Sequence, residues 1–524
     1  MQVTVIKVID SDNFKFYRTN GYFCGMFSIR KVKTKSGSIA IQVVQYLGHR
    51  SKVLKHLGSG KNDTEVSILR QKAKEWIDEQ ASQTYLFPEQ KQRTLIVDRG
   101  ECIGVTHHFA LQFFMCCINE CGLSHLPRLL LDLAIMRLIE PASKLRSIAL
   151  LSHYFGINYS QRIYRNIPKL IIHKSDVEHC AYNIALKKFR EPFYFVLYDV
   201  TTLYFESFKS DELKIPGFSK DNKSQQPQIV IGLMVTQTGF PLSYQVFAGN
   251  TFEGKTMLPI VESFLATHKD TMPIVVADAA MLDEERLTEL QQKKISYIVG
   301  ARLANANLTL IKQIHDALQG KHGAIARFSS RHGHLVCEFS LKRYKKELSD
   351  LNKLIQKAEE LVVKQSSGSR AKFIKKTFNE TIELNTALIE KRKLILGIKG
   401  YCTDLSEQEL SNEQVISRYH QLWHIEQSFR MSKNDLQSRP IYHQKENAIR
   451  SHILICFVAL IIEKYLELTT SLSHRDIRFL VWNITESRIQ DKLTKEVFEF
   501  RSPTDEIMNS PLGKLIKEWG VLPH

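Results

Sequence analysis

Two carboxylates stand where carboxylates are costly, and a third lies on a helix among cations and aromatics. Asp199 lies in "FYFVLYDVTTLYFESF", residues 193–208, an almost unbroken run of aromatic and branched apolar side chains. An ionised carboxylate removed from water is strongly destabilising unless a partner compensates it. Asp278 ends the short apolar run "MPIVVADAAM", and the small residues after it leave room for a ligand. The competing reading of Asp278 is a cap for the helix that follows, though Asp283 and Glu284 sit in its first turn and can serve the dipole. Glu426 lies in "SRYHQLWHIEQSFRMSKNDL", residues 417–436, which has no Gly or Pro and reads as one helix. Tyr419, Glu426 and Lys433 are spaced by sevens, with Trp423 and Arg430 one turn from the glutamate, so all five share one broad face. A core-packing stripe would be poorly composed this way, whereas a metal ligand beside phosphate-binding cations would look like this. The competing reading is a surface ion-pair ladder from Glu426 to Arg430.

The whole chain favours an anionic partner. Its 524 residues are 43% hydrophobic and 24% charged, enough for large cores and two to four structural units. Lys and Arg total 72 against 55 Asp and Glu, a net charge of +17 that suits nucleic acid. The nine cysteines, Cys116, Cys117 and Cys121 among them, form no paired C-x-x-C sets, which argues against a disulfide framework or structural zinc. The N-terminus lacks the pattern of a signal peptide. The longest apolar run, "ILICFVALII" at 453–462, is well short of the roughly twenty residues that cross a bilayer. A reducing, cytoplasmic setting without a membrane partner is predicted.

The elements that must position the acids follow from texture. Residues 1–95 mix alternating segments with a polar helix and form a small N-terminal unit, a candidate for DNA binding. Residues 96–190 read as helical, also a candidate for DNA binding, either as an ordinary bundle or with a helix-turn-helix. From 191 to 302 the order is three strands, a helix, a strand, a helix and a strand. That order predicts an α/β domain with a mixed five-stranded sheet, the plan of the ribonuclease H-like fold. Residues 303–393 break the rhythm with 18 Lys or Arg against 9 Asp or Glu, +9 of the chain's +17, and read as a basic inserted subdomain facing a polyanion. Residues 394–465 resume the α/β domain, and 466–524 read as a C-terminal helical tail.

The motifs "LYDVTTLYFES", "KIPGFSKDNKSQQPQIVIGLMVTQTGFPLSYQVFAGNTFEGKT", "VVADAAM", "YHQLWHIEQSFRMSK" and "RPIYH" carry a resemblance. The chain resembles DDE transposases of bacterial insertion sequences, in the insertion-sequence-four family marked by a Tyr-x2-Arg-x3-Glu-x6-Lys motif. The likeness is close over roughly 190–300 and 394–460. It implies that Asp199, Asp278 and Glu426 are the catalytic triad and the ligands of two magnesium ions, with manganese as a substitute. It implies that Tyr419, Arg430 and Lys433 hold the terminal phosphate. It further implies cutting at transposon ends, joining to target DNA, a hairpin intermediate in close relatives, and a homodimer on double-stranded DNA carrying terminal inverted repeats. Two positions depart from the family pattern: Leu422 stands at the motif's arginine, and Ala280 where many relatives have glycine. A structure-specific nuclease on the same core, or a transposase-derived DNA-binding protein without catalysis, are the alternatives.

Overall fold

The computed structural model describes residues 4–10, 13–19, 26–47, 50–81, 97–190, 195–206, 209–218, 225–268, 273–279, 284–363, 372–376 and 382–521, to which every structural statement applies. They fall into two units, Met1–His108 with Asn483–Pro503, and Phe109–Trp482 with Thr504–His524.

The first unit is built on β-structure. Its larger sheet runs Asn13–Thr19, Thr4–Asp10, Met26–Lys33, Ile39–Leu47, Arg50–Gly60. The helix Asp63–Ala81 covers it, setting Val66, Leu69, Ala73 and Ile77 from one face against Ile41 and Val43. Its start is fixed reciprocally: the Asn62 side chain accepts from Glu65 N at 2.8 Å, and the Glu65 carboxylate accepts from Lys61 N at 2.6 Å. A second sheet joins Gly100–Thr106 to the hairpin Glu486–Asp491 and Val497–Arg501. The chain after 466 is therefore not wholly helical, and the region from 96 has a short 3-10 turn and a strand, Gly100–Thr106, before its helices. The hairpin is set by Asp491, whose Oδ1 accepts from both Leu493 N and Thr494 N at 2.8 Å, a turn that closes the alternating segments on either side.

In the second unit helices α1 (Arg128–Ile139) and α2 (Lys144–Phe155) precede the main sheet. Its strands are β1 (Phe195–Tyr204), β2 (Pro227–Val235), β3 (Pro241–Ala248), β4 (Ile274–Ala277), β5 (Tyr297–Ala301), β6 (Ile325–Ser330), β7 (Gly333–Phe339) and β8 (Ile398–Thr403). They lie in the order β3-β2-β1-β4-β5-β8-β7-β6, and Ile215–Pro216 pairs β2 as a ninth strand. The β1–β4 and β4–β5 pairs are parallel and the others antiparallel. The mixed α/β sheet is as expected, but it does not stop at five strands. Two strands of the basic segment, β6 and β7, extend the sheet through β8 rather than standing beside it. The cause is burial: Leu335, Cys337 and Phe339 alternate along β7 into one core with Leu303, Ile314, Leu318 and Ile398. The rest of that segment, with helix α3 (Leu341–Val363), gathers a separate core of Leu351, Ala358, Phe373, Ile389 and Leu396.

After β8 come α4 (Asn412–His420), α5 (Trp423–Arg430) and the long, largely buried α6 (Glu446–Thr470). The apolar run 453–462 is the middle of α6 and packs on β3, with the Phe457 and Tyr244 rings 4.7 Å apart. Among the described residues no helix is long and apolar enough to cross a membrane.

Candidate active site

Register brings the two aspartates together. Tyr198 pairs with Ala277 across the parallel β1–β4 ladder, so the next residues, Asp199 within β1 and Asp278 just past the end of β4, follow side by side on neighbouring strands. Ala277 pairs with Val299 in turn, setting Gly300 beside Asp278, and Gly300 pairs with Tyr401 of β8. The mid-strand aspartate owes its room to its neighbour's opposite side. Tyr198 is fully buried with its hydroxyl donating to Thr256 Oγ1 at 2.8 Å, where a Cβ on Gly232 would come within 2.3 Å of it. Asp199 is half-buried and its Oδ1 accepts from Val200 N at 2.7 Å.

Asp278 is exposed but not loose. Its Oδ1 accepts from Ala279 N and from the Tyr419 hydroxyl, each at 2.8 Å. Tyr419 is only 5% exposed, and burial together with the Asp278 carboxylate pushes its phenol well up, keeping it a donor. A Cβ at Gly300 would lie 2.6 Å from that hydroxyl, so the glycine makes the contact sterically possible.

The helix expected over 417–436 is broken, which corrects the single-face argument. At the junction, hydrogen bonds run three residues back: Leu422 N to Tyr419 O at 3.1 Å, His424 N to Gln421 O at 2.9 Å, Ile425 N to Leu422 O at 3.1 Å. Each residue of such a turn advances by about 120° instead of 100°, so a spacing of sevens no longer marks one face. Two anchors impose the break. Tyr419 and His420 pin the end of α4 to Asp278 and to the Tyr401 hydroxyl, the latter at 3.1 Å. Ser428 pins α5 through a 3.1 Å bond to Gly239 O. Past Arg430 the backbone widens into a π-helical turn, Met431–Asp435.

Asp199, Asp278 and Glu426 nonetheless line one open cleft of about 340 Å³, with Lys399, Tyr419, His420, Leu422 and Trp423. Trp423 is 55% exposed and stacks on His424, ring centroids 3.7 Å apart. Arg430 is exposed and does not line this cleft. Lys433 instead borders an apolar cavity of about 30 Å³ with Thr201, Leu203 and Phe457. Arg418 also points elsewhere, bonded to Gln237 and lying 4.7 Å over the Phe195 ring. Ala280 and Asp283 lie outside the described residues.

The cation of the cleft is Lys399, which the sequence reading missed. It is half-buried on β8, with Nζ 4.3 Å from the centre of the Tyr419 ring. Burial holds its ammonium below the usual lysine range, and the Arg343 charge adds to this, while Asp278, Glu338 and Glu426 pull the other way. A lysine inside the apolar strand "GIKGYC" was the available signal, hidden behind the louder "EKRK" run just before it. Beside Lys399, His420 Nε2 lies 3.4 Å from Glu338, which also accepts from the Tyr401 hydroxyl. A second trough of about 470 Å³ shares Asp278, Tyr419 and Lys399 with the cleft and adds Arg302, Arg343 and Arg392.

Among the described residues no three His, Cys, Asp or Glu side chains are close enough to form a ready-made metal site. The donor set still fits magnesium, a hard cation that takes one or two carboxylates and keeps several waters. Solvent reaches Asp278 and Glu426, so such waters have access.

A mixed sheet with adjacent acids on its inner parallel strands and a third acid from a helix lining the same cleft is the layout of a ribonuclease H-like nucleic-acid enzyme. The family model of the transposase DDE domain matches residues 191–462, more than half of the chain, and the chain belongs to that family. It is accordingly a DNA transposase, a polynucleotidyl transferase by class. Among curated proteins none matches the chain. Among solved structures, a piggyBac transposase synaptic complex with hairpin DNA, determined by cryo-EM, is similar at 9% identity and a TM-score of 0.34, over 78% of this chain and 74% of that one. A likeness of that strength carries no weight for the fold.

Proposed function

We propose that this transposase cuts DNA at the ends of a bacterial insertion sequence and joins the freed 3'-hydroxyl to target DNA, with Asp199, Asp278 and Glu426 as its catalytic residues. The observation that carries the proposal is the register that sets Asp199 beside Asp278, with Glu426 lining the same cleft. The spacing of Tyr419, Glu426 and Lys433 supports membership of the insertion-sequence-four group.

In this reading the three carboxylates hold two magnesium ions, or manganese, which when bound supply Lewis-acid activation of the attacking hydroxyl and neutralise charge on the phosphodiester. The chain's own groups do the positioning. Tyr419 locks the Asp278 carboxylate in one rotamer. Lys399 faces the charge that develops on the phosphate, taking the part of the arginine absent at Leu422. Trp423 offers an exposed indole on which an unpaired base can stack. Arg302, Arg343 and Arg392 carry the DNA backbone along the adjoining trough. Arg430 and Lys433 contact the terminal DNA outside the cleft, and a homodimer forms when two ends are paired. The protein works in the bacterial cytoplasm, on double-stranded DNA bearing inverted repeats.

The test supplies a pre-cut transposon end with a free 3'-hydroxyl and a supercoiled target plasmid in magnesium. Covalently joined product is expected. Cutting without any joining would replace the transposase reading with a structure-specific nuclease.

A further inference from the structure

The second unit holds another charged pocket, which shares no lining residue with the carboxylate cleft. It lies at the start of α2, where the Ser143 hydroxyl caps the helix by accepting from Arg146 N at 3.3 Å. Its volume is about 500 Å³, and its walls include Arg137, Lys144, Arg146, Tyr442, His443 and His452. Among the described residues no carboxylate lines it.

Four of these groups, Arg137, Lys144, His443 and His452, are buried. Arg137 is 5% exposed; its Nη1 donates to the carbonyls of Leu436 at 3.4 Å and Gln437 at 3.0 Å, while its buried Nε has no partner among the described residues. Lys144 is 3% exposed and, among the described residues, meets another base, with Nζ 3.0 Å from His452 Nδ1. The His452 Nε2–H donates to Ser438 O at 2.9 Å, which leaves Nδ1 as the acceptor for Lys144. His443 is buried beside them, its ring 5.9 Å from that of His452. The nearby acid on α1's end, Glu140, is 4.0 Å from the Arg146 guanidinium and accepts from Tyr154, so it does not neutralise the buried groups. Burial and mutual repulsion hold Lys144 and His452 well below their usual ranges and bring His443 down to about 4. An anion bound there would offset the cost of burying these groups.

We propose that this pocket is a phosphate-binding site: the start of α2, the Arg137 fork and the Lys144 ammonium converge on one tetrahedral phosphate, supplied either by a DNA phosphodiester or by free phosphate. A helix start favours negative charge through its dipole and free N–H groups, and arginine can grip two phosphate oxygens at once. Tyr442 and His443 belong to "RPIYH", a motif that the carboxylate chemistry leaves unused. The assignment stands on this geometry and not on the catalytic roles proposed above.

The test uses the full chain and two probes. Inorganic phosphate is titrated against thermal unfolding, with chloride at matched ionic strength as the control, for the wild type, Lys144→Met and Arg146→Gln. Duplex DNA affinity is then measured against salt for the same proteins. A saturable rise in melting temperature with phosphate, lost in Lys144→Met, is the expected result. If the phosphate is that of DNA, the slope of log affinity against log salt also falls by about 0.9, one phosphate's worth. An unchanged slope with the phosphate response lost assigns the pocket to free phosphate. Should Lys144→Met not fold, the exposed Arg146→Gln carries the same comparison. The proposal is overturned if neither the phosphate response nor the salt slope differs between wild type and variants.

Discussion

The carboxylate cleft collects three acids around one half-buried lysine, whereas the pocket at the start of α2 collects cations with no acid in its walls among the described residues. Both concentrate charge of one sign, but they meet the cost differently. In the cleft Asp278 and Glu426 face solvent, and water screens their repulsion until a cation arrives. In the pocket Arg137, Lys144, His443 and His452 are buried, and burial with mutual repulsion holds Lys144, His443 and His452 below their usual ranges. The first arrangement can wait for its ligand at little cost in stability; the second makes stability depend on pH and on an anion.

The sharpest way to break the comparison is at the cleft. Asp278→Asn removes a charge where the account places the chemistry, and cleavage of end-bearing DNA should fall by about three orders of magnitude. Gel-shift affinity for the same DNA should stay as in the wild type. A variant that lost both together would make Asp278 a folding or binding residue instead.

The next effect belongs to the pocket. The unfolded chain protonates His443 near 6.5, while the folded chain resists until about 4. Stability is therefore fully present above pH 6.5 and is lost as pH falls towards 4, by about 3 kcal/mol for this group. His443→Phe should flatten that acid limb in urea unfolding at pH 7 and 4.5. An acid limb identical to that of the wild type would show that the buried cations do not set it.

Returning to the cleft, Tyr419→Phe deletes the hydroxyl that holds Asp278, and Gly300→Ala pushes it away. Each should slow cleavage about 10- to 100-fold, the usual cost of losing a group that orients a ligand. The double variant should be no slower than the worse single one, since both cut the same link. Arg430→Lys is the smallest change expected. Exposed and outside the cleft, it should alter single-turnover cleavage by less than about 1 kcal/mol in activation free energy.

What the sequence made legible followed from isolated charges. Asp199 and Asp278 stood out because a carboxylate within an apolar strand has no local explanation, and the strand order implied that they would be near each other. Their register, and hence their adjacency, is a property of pairing between distant segments. The break at Gln421–Leu422 was illegible because no Gly or Pro marks it; it comes from Tyr419 reaching Asp278 and Ser428 reaching Gly239. Lys399 was hidden for the opposite reason, as one lysine near many, distinguished only by the strand that carries it into the cleft. The hairpin of β6 and β7 alternates plainly in "AIARFSSRHGHLVCEF", yet nothing local says that β8 would be its neighbour.

The central claim is that Asp199, Asp278 and Glu426 act as one catalytic unit, and a mutant cycle tests it most directly. Single-turnover cleavage of a DNA end would be measured for Asp199→Asn, Asp278→Asn, Glu426→Gln and their pairwise combinations, all with DNA bound to saturation. The account predicts that each single variant falls to the same floor and that no double variant falls further, as groups acting together are strongly non-additive. Losses that simply add, or any one of the three variants cutting at the wild-type rate, would contradict it.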